Sequence, residues 1–566
     1  MTIRGSEVLY LDFTGKYRKS TNFVVSDYDR INSINIHSKK IEEINIFDYE
    51  EGLAALIDDL SINDRFTLKA AQAHFFRNVI EVLLQWQVGI EEGIKKNHPD
   101  QVDFGDMYST TTIFTYEAEG EVNNKWLYIS NYFIPHLLLS YFKEKYPSIK
   151  FIYKKRMNYK VLFHFYLRNV IYLNMTFLVA FTRWLCSFFY AKPKINTSGK
   201  IGLLVRNSIQ SDFALKLYDS MPESFYLISY EQVFSVNKNS SYLKSKGTVF
   251  FDASKNLNFH QLIRAYIGGW KNVFRKRKVK ELLLVHSKLR IPMEYALKDL
   301  TVRGVDFYNY YQTLIAFRNK KVISFDMFTP HSHYAGKAVG EGNITQVQTT
   351  LISPKYATSF IAGDFFIFTD SISYNGFTNI NIRFKNKLLL IDNPKFISTK
   401  QKSAKTGTIK NIIYFSQPYE LESEKNILTK LKMILDKENI ALSLKCHPRQ
   451  NGSSYSFLMG VEIISDVTDF DYYDLAITRS SSIGMDCWAE NLPIVFIRDT
   501  IRTKSISASY IPDEYNGDLS CIDDINKILA DYPAFVRYFH TARRNGGFES
   551  DINHTLETIK GSLDER

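Results

Sequence analysis

The sequence predicts an α/β fold with two Rossmann-like domains. Short apolar strands alternate with helical stretches along most of the chain, which is the pattern of α/β proteins. The length of 566 residues exceeds that of one ordinary domain. A polar stretch rich in small residues, 398–408, has the composition of a linker, and a new α/β alternation begins after it. We therefore expect an N-terminal domain at 1–397 and a C-terminal domain at 409–566.

The strand candidates are short apolar runs that end in polar or glycine-containing segments. Before the linker they are 7–13, 111–116, 200–205, 248–251, 281–286, 320–325 and 387–391, with helical stretches at 67–89 and 131–146. After the linker they are 411–416, 440–446, 461–464, 474–477 and 493–497, with helices at 421–438 and 482–490.

Composition and charge narrow the class of protein. The apolar fraction of 45% and the charged fraction of 23% exclude a disordered chain. A net charge of +11 favours an anionic partner, such as a nucleotide phosphate, an acidic glycan or an anionic lipid surface. The four cysteines form no CxxC pair, so neither a zinc site nor a disulfide framework is indicated. The first residues lack a signal-peptide pattern, and a cytoplasmic location is expected.

The region 150–195 differs from its surroundings and is predicted to be a helical insertion. It has no charged residue from Asn169 to Thr182, and lysines and Arg156 precede it. This uncharged run is shorter than the ~20 residues that span a bilayer. One interpretation is a helix that lies on the anionic inner face of the cytoplasmic membrane; the other is a buried core helix. A second basic, aromatic cluster lies at 264–280, but nothing else resembles a nucleic-acid module, and no nucleic acid is expected as a partner.

The C-terminal domain carries the most informative motifs, and each follows a predicted strand. Open α/β sheets bind ligands at the carboxyl ends of their strands, and the N-terminus of a helix favours a phosphate. The expected donor-phosphate and nucleotide site comprises Gln417, His447, Pro448, Arg449, Ser480, Ser481 and Ser482. A histidine facing a serine-lined helix start can stabilise charge on a leaving phosphate without a metal or another cofactor. The alternatives are that the serines only cap a helix and that His447-Pro448 is only a turn.

The stretch 411–498 resembles the C-terminal half of GT-B glycosyltransferases that build capsules and lipopolysaccharide. It is most similar to bacterial sialyltransferases, polysialyltransferases and Kdo transferases, whose HP and Ser/Thr motifs are matched by His447-Pro448 and Ser480-Ser481-Ser482. The resemblance implies a GT-B-like fold with two domains facing across a cleft. It also implies transfer of a nonulosonic acid or Kdo from a CMP donor to a polysaccharide or glycolipid acceptor, with His447 as a catalytic residue. A UDP-sugar or CDP-glycerol donor and a non-catalytic glycan-binding protein remain alternatives.

The same resemblance implies a general base in the N-terminal half, on an acidic pair followed by glycine. The best match is Glu117-Ala118-Glu119-Gly120, in which Ala118 replaces the second acid of the pair. Glu119 is the first candidate base, because an acceptor hydroxyl must lose its proton as it attacks. Asp326 and Glu341 are alternatives at strand ends. No DxD-type pair lies on a suitable strand end, so no metal is expected.

Overall fold

The structure is a computed structural model, and only part of the chain is described. The described residues are 8–13, 24–26, 33–36, 81–105, 107, 134–154, 159–189, 195–231, 238–256, 258–274, 281–292, 310–326, 330–349, 363, 365–380, 388–391, 407–417, 421–447, 450, 452–467, 469–479, 481, 483–498, 517–519, 522–545, 557–559 and 561.

The first sheet has five parallel strands in the order β3-β2-β1-β4-β5. The strands are β1 (Val8–Asp12), β2 (Val24–Ser26), β3 (Ser33–Asn35), β4 (Gln101–Asp103) and β5 (Lys150–Ile152). The helices in this region are α1 (Glu81–Asn97) and α2 (Ile134–Lys145). Their apolar residues, among them Trp86 and Phe142, fill the core against the sheet.

The long helix α3 (Tyr159–Ser187) follows the first sheet and precedes the second. The second sheet has seven parallel strands in the order β14-β13-β12-β11-β6-β7-β8. They are β6 (Ile201–Val205), β7 (Phe225–Ser229), β8 (Phe250–Asp252), β11 (Val322–Ser324), β12 (Ile344–Val347), β13 (Phe365–Phe368) and β14 (Leu388–Leu390). The helices are α4 (Ser208–Ser220), α5 (Lys238–Ser245), α6 (Phe259–Phe274), α7 (Pro330–Val339) and α8 (Ser371–Ile380).

An antiparallel hairpin is inserted between β8 and β11, and it joins the first two sheet regions. It consists of β9 (Glu281–Leu284) and β10 (Leu289–Pro292). Its apolar side chains lie in the core of the first sheet, not the second. The Gln87 side chain on α1 also donates a hydrogen bond of 3.2 Å to the carbonyl oxygen of Ser287 in the hairpin turn.

The third sheet has six parallel strands in the order β17-β16-β15-β18-β19-β20. They are β15 (Asn411–Phe415), β16 (Ala441–Lys445), β17 (Glu462–Ile464), β18 (Leu475–Thr478), β19 (Ile494–Ile497) and β20 (Gly517–Leu519). Helix α9 (Leu421–Lys437) connects β15 to β16, and α10 (Ile483–Ala489) connects β18 to β19. Helices α11 (Ile525–Ala530) and α12 (Tyr532–Asn545) follow. Near the end of the chain, Ile559 is buried in the core of the second sheet.

In the second and third sheets the strand order reverses beside the strand that comes first in the chain. In the second sheet β6 lies between β7 and β11, and in the third β15 lies between β16 and β18. Connections on the two sides of such a strand leave in opposite directions, which opens a crevice at its carboxyl end. Each of these two sheets therefore has one expected ligand position.

The predicted α/β fold with parallel Rossmann-like sheets is confirmed. Residues 1–397, which we expected to form one domain, contain both the first and the second sheet. In the C-terminal region the predicted strands 411–416, 440–446 and 474–477 lie on β15, β16 and β18. The predicted strand 111–116 lies outside the described residues, as does most of the linker.

The predicted helical insertion corresponds to α3, a single helix of 29 residues. One face packs on α6: Leu173 is buried against Tyr266 and Trp270, and the Tyr266 hydroxyl donates a hydrogen bond of 2.5 Å to the Asn174 side chain. The opposite face is apolar and exposed. Among the described residues, no helix has the length and hydropathy needed to cross a membrane.

Candidate functional site

The crevice of the third sheet is formed by the loops that follow β15, β16 and β18. All three strands are parallel and paired side by side, so their carboxyl ends meet at one edge. The strands are buried, because Ile413, Leu444 and Ile477 have no exposed surface or almost none. The rigid sheet thus fixes where each loop begins.

The loop after β16 is bound to the loop after β15 through His447. The backbone N–H of His447 donates hydrogen bonds of 2.8 Å to the Ser416 hydroxyl and 3.2 Å to Oε1 of Gln450. The Ser416 hydroxyl itself donates to Gln450 Oε1 at 2.5 Å. The Gln450 backbone N–H donates to the carbonyl oxygen of His447 at 2.8 Å, a bond between residues three apart in sequence, as in a β-turn. The turn that bears His447 is therefore held through the main-chain groups of His447, and its N–H bonds to the side chains of Ser416 and Gln450.

Gln450 extends this contact to Gln417. Its Nε2 donates to the carbonyl oxygen of Gln417 at 2.9 Å and to the Tyr455 hydroxyl at 2.6 Å. The Gln417 side chain is buried, and its Nε2 donates to the carbonyl oxygen of Ser416 at 2.9 Å. Gln417 and His447 are thus brought together through one shared glutamine.

The loop after β18 is attached to β15 from the other side. The Thr478 hydroxyl donates a hydrogen bond of 3.0 Å to the carbonyl oxygen of Phe415 and accepts one of 3.3 Å from the backbone N–H of Ser481. The Ser481 hydroxyl accepts from the backbone N–H of Ile483 at 3.3 Å, in the first turn of α10. Ser481 therefore has the geometry of a helix cap, which is also the geometry of a phosphate-binding helix start.

A buried carboxylate lies beneath these loops. Glu424, in the first turns of α9, has no exposed surface. Its Oε1 accepts a hydrogen bond of 2.7 Å from the backbone N–H of Gln417, and its Oε2 accepts one of 2.8 Å from the Tyr455 hydroxyl. Burial raises the pKa of Glu424 to about 7, while the Tyr455 hydrogen bond and the positive charge of Arg479 act in the opposite direction. Arg479, directly after β18, is also fully buried.

The crevice of the second sheet contains a buried ion pair. Arg206 follows β6 and Asp326 follows β11, the two strands on either side of the strand-order reversal. Nε of Arg206 lies 2.5 Å from one carboxylate oxygen of Asp326, and Nη2 donates to the other at 2.6 Å. The two side chains are 6% and 5% exposed. The Arg206 guanidinium also lies 6.0 Å from the centre of the Tyr310 ring.

Two buried glutamine side chains form further hydrogen bonds at the carboxyl ends of the strands next to Asp326. Nε2 of Gln346 donates to the carbonyl oxygen of Asp326 at 2.8 Å. Nε2 of Gln348 donates to the Asp370 carboxylate at 2.5 Å and to the Ser373 hydroxyl at 2.9 Å. Gln348 directly follows β12, and its side chain bonds to residues that follow β13.

The structure thus places Gln417, His447 and Ser481 at one edge of the third sheet and Asp326 at the corresponding edge of the second. Pro448, Arg449, Ser480 and Ser482 lie outside the described residues, as does Glu119. The assignment of these residues to the site stays a prediction. Among the described residues, no group of three or more His, Cys, Asp and Glu side chains has the arrangement of a metal site.

Several residues that organise the two crevices were not predicted from the sequence. They are Arg206, Glu424, Gln450, Tyr455 and Arg479. Two of them could have been found from the sequence, because Arg206 and Arg479 each directly follow a buried parallel strand. An arginine at such a position is costly to bury unless it has a partner.

No family model matches the chain, and no match to a curated protein was found. Several solved structures have a similar fold. The S. aureus MnaA–UDP co-structure has 13% identity and a TM-score of 0.41, covering 64% of this chain and 95% of its own. The UDP-GlcNAc 2-epimerase from Neisseria meningitidis bound to UDP-GlcNAc has 12% identity and a TM-score of 0.41, with 64% and 100% covered. The glycotransferase of kitacinnamycin has 11% identity and a TM-score of 0.41, with 64% and 99% covered.

Proposed function

We propose that this protein is a glycosyltransferase that uses a nucleotide-sugar donor and binds the donor at the crevice of the third sheet. The observation that carries the proposal is the attachment of the His447 turn and the Ser481 loop to opposite sides of β15. A histidine and a helix start then lie at the strand-order reversal, where a doubly wound sheet binds a nucleotide. Developing negative charge on a leaving phosphate requires such donors in fixed positions.

The preferred donor is a CMP-linked nonulosonic acid or Kdo. Its support is the order of the two motifs, His447-Pro448 after the second strand and Ser480–Ser482 after the fourth, which resembles that of CMP-sugar transferases. The net charge of +11 suits an acidic donor and an acidic glycan acceptor. In this proposal the acceptor is a surface polysaccharide or a lipid-linked glycan.

The acceptor is activated by a carboxylate outside the third sheet, and Glu119 is the preferred base. Both oxygens of Asp326 face the Arg206 guanidinium, so proton uptake by Asp326 would break a buried ion pair. Asp326 therefore suits the role of holding the second crevice in shape better than that of accepting the proton of the acceptor.

The proposal includes peripheral association with the inner face of the cytoplasmic membrane through α3. Its support is the exposed apolar face of this helix, which is formed by Leu167, Ile171, Met175, Leu178 and Leu185 and is continued by Phe188 and Phe189 beyond the helix end. These residues recur at intervals of three, four and seven, so they lie along one side of the helix. A membrane-bound enzyme would then act near a lipid-linked acceptor.

A nucleotide screen tests the choice of donor. The purified chain is heated with CMP, CDP, UDP or GDP, and the shift in melting temperature is measured. UDP is included because two of the similar structures contain UDP or a UDP-sugar. The proposal predicts stabilisation by CMP above the others, by mass action. A larger shift with UDP would indicate that the donor is a UDP-sugar. The absence of any shift would contradict the proposal that the protein is a nucleotide-dependent transferase.

Donor turnover separates an enzyme from a glycan-binding protein. The proposal predicts slow hydrolysis of the CMP-sugar by the wild-type protein and a rate about 10²-fold lower for His447→Ala, the scale expected for removing one group that stabilises the leaving charge. If the wild-type protein binds a nucleotide but hydrolyses no donor, even with acceptor present, the non-catalytic alternative gains support.

A further inference from the structure

Glu424 takes part in none of the proposed catalytic steps. It lies in the first turn of α9, and it is fully buried. A buried carboxylate is costly unless it is hydrogen-bonded and compensated in charge. Its partners therefore indicate why it is placed there.

The two carboxylate oxygens of Glu424 accept hydrogen bonds from different parts of the chain. Oε1 accepts from the backbone N–H of Gln417 at 2.7 Å, in the loop after β15. Oε2 accepts from the Tyr455 hydroxyl at 2.8 Å. The Tyr414 hydroxyl adds a longer bond of 3.3 Å to Oε1.

Tyr455 connects Glu424 to Gln450, which follows β16. Its hydroxyl accepts a hydrogen bond of 2.6 Å from Nε2 of Gln450. With Nε2 oriented in this way, Oε1 of Gln450 faces the Ser416 hydroxyl and the backbone N–H of His447, at 2.5 Å and 3.2 Å. The carboxylate therefore fixes which end of the Gln450 amide points towards the His447 turn.

The third loop is linked to Glu424 by charge. Arg479 lies between β18 and the serine motif and is fully buried, and its positive charge lowers the pKa of Glu424 against the effect of burial. A single carboxylate thus touches or faces the loops that carry Gln417, His447 and Ser481.

We infer that Glu424 is a positioning residue of the donor site: through Tyr455 and Gln450 it holds the loops of Gln417 and His447 in one arrangement. This inference rests on the proposed function in so far as the site is a donor site. It assigns no contact with substrate to Glu424. The effect of Glu424 is to keep the backbone of the His447 turn in place before a nucleotide binds.

The test compares Tyr455→Phe with a matched control, Tyr532→Phe. Both tyrosines are buried in the C-terminal region, with exposures of 1% and 3%. Tyr455 bonds to Glu424, whereas the Tyr532 hydroxyl bonds to the carbonyl oxygen of Asp474 at the opposite, amino end of β18. Each variant loses one buried hydroxyl, so a purely structural effect should lower the melting temperature of both.

Two readouts distinguish positioning from general stability. The first is hydrogen–deuterium exchange of the His447 amide, which we expect to be faster in Tyr455→Phe and unchanged in Tyr532→Phe. The second is CMP affinity by calorimetry, which we expect to fall roughly threefold to tenfold in Tyr455→Phe alone, the range for loss of one hydrogen bond. Glu424→Gln, which keeps the size of the side chain but not its charge, should change both readouts in the same direction.

Equal exchange at His447 and equal CMP affinity in the two tyrosine variants would overturn the inference. A wild-type protein that binds none of the four nucleotides would overturn the proposed function instead. In that case the exchange measurement still decides whether Glu424 holds the His447 turn, since it requires no ligand.

Discussion

The backbone N–H of His447 donates a hydrogen bond of 2.8 Å to the hydroxyl of Ser416. The bond places the His447 turn against the end of β15, the strand that also receives the Thr478 hydroxyl from the other side. Because the contact uses the main chain, an alanine at position 447 retains it. Removal of the imidazole therefore leaves this bond in place, which allows the role of the side chain to be measured separately.

Ser481→Ala should affect both stability and nucleotide binding. The hydroxyl accepts from the backbone N–H of Ile483 at 3.3 Å, so its loss should cost about 1 kcal/mol, as for other helix caps. If the hydroxyl also contacts the donor phosphate, CMP affinity should fall by roughly 1–3 kcal/mol, the value for a hydrogen bond to a charged group. Thermal melting and calorimetry measure the two effects. A variant that loses only stability would identify Ser481 as a cap and nothing more.

The stability of the third sheet should depend on pH through Glu424. Its pKa is about 7 in the folded protein against 4.5 as the ordinary value, so the folded state holds the proton more tightly than the unfolded state. The resulting stabilisation is complete below about pH 4.5 and is lost as the pH rises to about 7. The loss amounts to about 3 kcal/mol at 1.36 kcal/mol per pH unit.

Glu424→Gln isolates this effect, because glutamine does not titrate. Urea unfolding measures the free energy of unfolding at pH 5 and at pH 8. Between these two values the wild type should lose more stability than the variant, and the contributions of other groups cancel in the comparison. An identical pH dependence in both proteins would mean that Glu424 has an ordinary pKa.

Asp326 and Glu119 should respond differently to neutral substitutions. Asp326→Asn leaves the buried Arg206 without its counter-charge and should cost about 3–5 kcal/mol of stability. Glu119→Gln should leave melting unchanged and lower transfer at least 10²-fold, as expected for loss of a general base. The double variant Arg206→Met, Asp326→Leu removes both charges and should recover much of the stability. If that double variant is stable but inactive while Glu119→Gln stays active, Asp326 becomes the better candidate for the base.

Membrane binding should depend on the exposed face of α3. Ile171 and Leu178 are 44% and 54% exposed, and changing both to Gln should weaken co-sedimentation with vesicles that contain anionic lipid. Met433 on α9 is 59% exposed, and Met433→Gln serves as a control of similar chemistry elsewhere on the protein. High salt should also weaken binding of the wild type, because it screens surface charges. Equal binding by the α3 variant and the control would exclude this face as the membrane contact.

The C-terminal fold was predictable because its strands are buried runs with polar residues at their ends. The predicted strand 440–446 corresponds to β16 (Ala441–Lys445), and the predicted helix 421–438 corresponds to α9. In the second sheet, β7 and β13 are among the strands that were not predicted. Short apolar runs such as Phe365–Phe368 cannot be distinguished from part of a helix by periodicity alone.

Other features depend on contacts between distant parts of the chain. The run 281–286 was predicted as a strand, but nothing in it indicates that it forms a hairpin that packs in the core of the first sheet. Glu424 is similarly inconspicuous, since an acidic residue near the start of a helix is usually exposed and favoured by the helix dipole. Its burial follows from Tyr455 and Arg479, which come 31 and 55 residues later in the sequence.

The affinity of His447→Ala for CMP measures how much the imidazole contributes to nucleotide binding. Because alanine keeps the main-chain bond to Ser416, the melting temperature should change little. Calorimetry should find that the wild type binds CMP more tightly than UDP and that the variant loses about five- to 150-fold in CMP affinity, the equivalent of roughly 1–3 kcal/mol. Unchanged CMP affinity in a folded His447→Ala protein would contradict the assignment of this crevice as the donor-phosphate site.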